Sequence, residues 1–165
     1  MTEHGTGPRL RRDGVSDLLG ELLHVGIVVE RLDAACAAFE RLVGRPPSRF
    51  WESAVGVRVA FFEVGGTSLE LVEYTGPIVE RFGPTLARRE GVHHLCFRVD
   101  DLDAALAEVR GRGFSVVPGF PVEGAHGRIA FLDPEPETGL ITELCQVRVA
   151  EGRGAEAPPS EASER

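Results

Sequence analysis

Residues 23–35, LHVGIVVERLDAA, reappear in altered form as HHLCFRVDDLDAA at residues 93–105. A shift of seventy places sets His24 on His94, Val29 on Val99, Leu32 on Leu102 and Asp33 on Asp103. The same shift lays RVAFFE, from Arg58 to Glu63, on RIAFLD, from Arg128 to Asp133. After three more residues in the second copy, Leu69–Leu71 meets Thr142–Leu144. A duplicated unit of about sixty residues is marginal on its own, so two small modules sharing one core are expected.

Each copy reads as strand, helix and three further strands, which makes the chain α+β, two paired βαβββ modules forming one curled mixed sheet. In the first copy the strands are expected at Leu22–Val29, Ser48–Glu52, Val57–Val64 and Ser68–Glu73. In the second they are expected at His93–Val99, Phe114–Val117, Arg128–Leu132 and Leu140–Val147. Asp33 and Asp103 open Ala-rich helices that Gly44 and Gly113 close, and Gly65-Gly66 marks a tight hairpin. Module one therefore spans residues 22–74, a linker helix 75–91 and module two 92–147, together a domain of residues 21–148. Residues 1–20 read as a flexible segment, and 149–165, rich in Gly, Pro, Ser and Glu, as a disordered tail.

The repeat also pairs chemistry. His24 falls on His94 and Glu70 on Glu143. Alternation places His24 with Gly26 and Val28 on one face, and His94 with Cys96, while His93 points away with Leu95. Two imidazoles and two carboxylates in one cup make a divalent-metal site, because a cation offsets the cost of burying the carboxylates. Around His126 the sequence GAHG is either a turn or part of the site. Glu52, Glu63 and Glu73 read as solvated, and Cys36, Cys96 and Cys145 as core filling without disulfides.

A net charge of −8 disfavours nucleic acid and anionic membrane surfaces. No stretch has the length and apolarity of a signal peptide or membrane span, so a cytoplasmic protein is expected.

The series HVGIVV, LELVEY, GVHHLCFRVDDLDAA, GAHGRIAFLDP and GLITELCQ resembles the vicinal oxygen chelate superfamily, the glyoxalase fold, over residues 22–147. Within it the likeness is nearest to methylmalonyl-CoA epimerases. The resemblance implies metal ligands at His24, Glu70, His94 and Glu143, and one divalent cation, whether Co, Zn, Mn, Ni or Fe. It also implies a homodimer, which the exposed edges of curved half-barrels independently call for.

A substrate with two chelating oxygens would lose a proton beside its carbonyl to give a metal-stabilised enolate. Glu143 and Glu70 are the candidate catalytic carboxylates, either coordinating, deprotonating or alternating between the two. Two departures from the epimerase pattern stand out. A catalytic Glu of some relatives is replaced by Val59, which leaves His126 or Glu52 as a relocated acid, and FLHPK becomes FLDPEPETG, with Asp133, Glu135 and Glu137. That acidic run would repel coenzyme A phosphates unless Arg49, Arg58, Arg88, Arg89 or Arg128 attracts them. Three functions follow: an epimerase or isomerase of methylmalonyl-CoA or of a non-CoA intermediate such as a cyclitol ketone, an iron-dependent dioxygenase, or a drug-binding resistance protein.

Overall fold

The computed structural model describes residues 18–82 and 91–148. Module one comprises β1 (Leu22–Val28), α1 (Leu32–Val43), β2 (Arg49–Glu52), β3 (Val57–Val64) and β4 (Thr67–Tyr74). After α2 (Pro77–Phe82), module two comprises β5 (Gly91–Arg98), α3 (Leu102–Gly111), β6 (Val122–Glu123), β7 (Gly127–Phe131) and β8 (Ile141–Val147). The expected tail 149–165, nearly all of the N-terminal segment and linker residues 83–90, including Arg88 and Arg89, lie outside the described residues.

The strands form one sheet of order β2-β3-β4-β1-β5-β8-β7-β6. Within each module the first and last strands run parallel, β1 with β4 and β5 with β8, whereas β1 and β5 join the modules antiparallel. This is the expected α+β mixed sheet. Its topology puts both first strands, and hence His24 and His94, at the centre.

Helices α1 and α3 each cover their own module. On α1, Leu32, Cys36, Phe39 and Val43 recur at three- and four-residue spacing and pack on Ala60, Phe62 and Leu71. On α3, Leu102, Ala105, Leu106 and Val109 meet the repeat-equivalent Ala130, Leu132 and Leu144. Ile27 and Val29 join the first cluster, so the side of β1 that carries His24 is left for the opposite face, as alternation requires. Gly65 and Gly66 adopt φ of 59° and 88°, the left-handed pair that a two-residue hairpin between β3 and β4 demands.

The repeat extends to polar contacts. The Leu32 N–H donates to Glu73 Oε2 at 3.1 Å, and the Leu102 N–H to Gln146 Oε1 at 3.3 Å. A side chain from the last strand of each module thus caps its helix, satisfying a donor that has no partner within the helix. Glu73 is consequently not the solvated residue that its charge suggests. Arg58 bonds Glu73 and Asp33 at 2.9 and 3.2 Å, and Arg128 holds Asp103 through two bonds of 3.0 and 3.1 Å. Both arginines therefore face the helices, away from the cup, and do not serve as phosphate ligands there.

Two expectations about module two are corrected. Residues 114–117 form no strand but a single bridge, Val116 to Leu132, and the pairing resumes at Val122–Glu123. Pro118 and Pro121 lack the N–H that a continuous ladder needs. On β5, Gly26 opposes His94 but Ile27 opposes Val92. His93 is the extra residue of a β-bulge, so it does not follow Leu95 to the helix face.

Candidate functional site

Four central strands each deliver one chemical group to the same cup: β1 His24, β4 Glu70, β5 His94 and β8 Glu143. All are buried, at 3–4% exposure, and all line one cavity of about 420 Å³. The registers that aim the carboxylates are repeat-equivalent, since Phe61 opposes Glu70 and Phe131 opposes Glu143. Space is arranged too. His24 opposes the small Cys96 and His94 opposes Gly26, where an added Cβ would lie 2.0 Å from the His94 ring.

Three of the four groups converge tightly. His24 Nε2 lies 3.1 Å from His94 Nε2 and 3.1 Å from Glu143 Oε2, and His94 Nε2 lies 3.0 Å from that oxygen. Ligand atoms at right angles around a cation with bonds of about 2.0–2.2 Å stand about 2.8–3.1 Å apart, so these atoms fit three adjacent positions of a divalent metal. Glu70 engages the other side of the His24 ring. Its Oε1 lies 2.9 Å from His24 Nδ1, outside hydrogen-bonding geometry, and accepts a 2.6 Å hydrogen bond from His126 Nε2.

His126 therefore belongs to the cup. It stacks on His24 with ring centroids 5.5 Å apart and meets Phe61 edge-on at 5.3 Å. Its GAHG setting is thus more than a turn. Cys96, read as core filling, also lies at the site on the His94 face that alternation gave it, with its sulfur within 4.8 Å of ligand atoms of His24 and Glu143.

The electrostatics are those of buried carboxylates and imidazoles in contact. Burial alone would lower the His24 pKa, but the hydrogen bond to Glu143 and the close negative charges of Glu143 and Glu70 overcome it and raise the value to about 10. Conversely, burial would raise both carboxylates, yet His24 and His94 hold Glu143, and His126 and His24 hold Glu70, below the ordinary range. A proton on His24 thereby balances part of the charge that a metal would neutralise. Burial, with the nearby charges of Glu143 and Glu70, raises the Tyr74 phenol, so it remains a neutral donor on the cavity wall.

The rest of the wall is largely hydrocarbon. Val59 is buried against Phe61 and Val72, with Trp51, Val57 and Tyr74 around them, so the position that holds a carboxylate in some relatives is apolar here. Glu52 is exposed on β2 and does not line the cavity, nor do Asp133, Glu135 and Glu137; Glu123 is the acidic residue at its margin. Of the proposed relocated acids, the structure brings His126 to the cup and leaves Glu52 outside. Arg49 stacks over Phe61 at 3.9 Å.

The sequence profile of the glyoxalase/bleomycin resistance protein/dioxygenase superfamily matches residues 23–131. The ethylmalonyl-CoA/methylmalonyl-CoA epimerase of Cereibacter sphaeroides is 35% identical over 139 residues, covering 79% of this chain and all of that protein. The mitochondrial methylmalonyl-CoA epimerase of Homo sapiens is 32% identical, covering 78% of this chain and 74% of its own. Among solved structures, a Streptomyces coelicolor methylmalonyl-CoA epimerase variant in complex with 2-nitronate-propionyl-CoA superposes with a TM-score of 0.66 at 30% identity, over 81% of this chain and 99% of that one.

Proposed function

Because the chain belongs to the glyoxalase/bleomycin resistance protein/dioxygenase superfamily, in the branch of the methylmalonyl-CoA epimerases, we propose that it is a divalent-metal-dependent epimerase of a methylmalonyl-CoA-like thioester. The observation that carries this reading is the buried triangle of His24, His94 and Glu143, opening on an apolar cavity beside Glu70 and His126. His24, His94 and Glu143 would hold the metal, with Glu70 completing the set by turning from His126. Such a cation supplies positive charge where the substrate carbonyl gains negative charge as the neighbouring carbon loses its proton.

The chain's own residues then divide the proton work. Glu143 is the carboxylate in reach of both imidazoles and is proposed as the first base. Glu70, alternating between the metal and its hydrogen bond to His126, is the second proton carrier, since Val59 offers none. The apolar wall of Val57, Val59, Val72 and Trp51 keeps bulk water from the carbanion and accommodates an alkyl substituent. A cytoplasmic homodimer is part of the same reading; no described helix is long and apolar enough to cross a membrane.

The test is deuterium wash-in. Metal-loaded protein in heavy water should exchange the α-proton of methylmalonyl-CoA or ethylmalonyl-CoA, and chelation should stop it. Metal-loaded protein that leaves both thioesters unexchanged would overturn the assignment.

A further inference from the structure

Two consecutive histidines on a regular strand face opposite ways, so His93 ought to stand on the helix face if His94 enters the cup. The bulge in the β1–β5 ladder removes that constraint. The His93 ring, 6% exposed, sits on the cup side, 6.3 Å from the centroids of both Tyr74 and Phe131. Its Nδ1 lies 2.9 Å from His94 Nδ1. His94 is thus gripped at both nitrogens, since its Nε2 meets Glu143 at 3.0 Å. Phe131 at 5.0 Å and the bare Cα of Gly26 confine the ring between them.

We infer that His93 is a positioning residue for His94, holding its ring by the Nδ1–Nδ1 hydrogen bond so that Nε2 stays on the site's centre. The inference rests on the reading that His94 is a metal ligand. An imidazole that gives its Nε2 lone pair to a cation keeps its proton on Nδ1, and that N–H needs a buried acceptor, which His93 Nδ1 provides. Without the cation, the His94 Nε2–H donates to Glu143, and His94 Nδ1 accepts from His93 instead. Histidine serves both states from one atom, whereas a purely apolar filler serves neither. A residue that merely filled space would be replaced by leucine at the cost of packing alone.

The experiment compares wild type, His93→Leu and His93→Gln. Zn²⁺ and Co²⁺ affinity is measured by competition with a chromophoric chelator, and the His94 ring nitrogens are followed by long-range ¹H–¹⁵N correlation. His93→Leu should lose about 10- to 100-fold in metal affinity, the range typical of removing a ligand's supporting hydrogen bond. His93→Gln, which can still bond His94, should recover to within about threefold of wild type. Zn²⁺-loaded wild type should carry the His94 proton on Nδ1. Leucine with wild-type affinity, or glutamine as weak as leucine, overturns the proposal. If wild type binds no divalent metal, the metal reading fails, and metal-free spectra then decide on His93: an Nδ1 shift altered by His93→Leu sustains the contact, and an unaltered one overturns it. Should His93→Leu not fold, a wild-type His94 Nδ1 at the shift of an unbonded nitrogen overturns the contact, and a hydrogen-bonded shift sustains it.

Discussion

Gly26→Ala should disable the site without replacing any of its polar groups. A Cβ at position 26 would lie 2.0 Å from His94 Cε1 and 2.4 Å from each ring nitrogen. Ordinary contact between carbon atoms begins at about 3.5 Å, so the ring must retreat by about 1.5 Å. It has little room: His24, His93 and Phe131 stand around it at centroid distances of 5.2, 5.2 and 5.0 Å. Backbone retreat is equally opposed, because Gly26 is paired on both sides, to Glu70 on β4 and His94 on β5. Forcing one methyl into such a place costs about 1–3 kcal/mol of stability. A nitrogen displaced by about 1.5 Å from a bond of about 2.1 Å is no longer a ligand, so metal affinity should fall at least about a hundredfold, or about 2.7 kcal/mol. Chelator competition on Gly26→Ala, His94→Ala and the double variant measures this. Removing the ring removes the three atoms that the methyl would crowd most, and the double variant should bind metal no worse than His94→Ala. Gly26→Ala that kept its metal affinity within about threefold would show that the His94 ring does not lie against position 26.

Metal uptake should release a proton at neutral pH, because His24, with a pKa raised to about 10, must lose its proton to ligate. Affinity should therefore rise with pH up to about 10, and calorimetry in buffers of different ionisation enthalpy would show the release. The metal-free protein should be most stable between about pH 5 and 6.5, as melting temperatures across pH would report. The lowered Glu70 and Glu143 contribute above the unfolded carboxylate range and lose this as pH falls through their folded values. His24 contributes fully below its unfolded value of about 6.5, and that stabilisation is lost as pH rises through about 10. Glu73→Ala should cost about 1 kcal/mol in denaturant unfolding through the lost cap on α1, whereas Glu73→Gln should retain most of it, since Gln146 does the same for α3. Glu143→Gln should keep measurable metal yet lose about a hundredfold to ten-thousandfold in solvent exchange of the α-proton, and undiminished exchange would move the base to Glu70.

Much of this protein is legible in residue order because it depends on local pattern. The seventy-residue echo yields the paired modules, period-two alternation puts His24 and His94 opposite the helix-packed Ile27 and Val29, and Gly65-Gly66 marks its hairpin. The four ligand-type residues could be named since duplication aligned them, and the fold does gather them in one cup. Tertiary structure decided what depends on a partner strand. Alternation assigns His93 to the helix face, but the register slip against β1 is a property of two strands together and turns it toward His94. Likewise, Glu73 and Gln146 look alike only once each is seen to reach the start of its module's helix, a meeting across more than forty residues that no local periodicity encodes. Gly26 is the plainest case. In the sequence it is a weak point in a strand, and the need for its missing side chain exists only because the antiparallel joint of two modules lays the His94 ring across it.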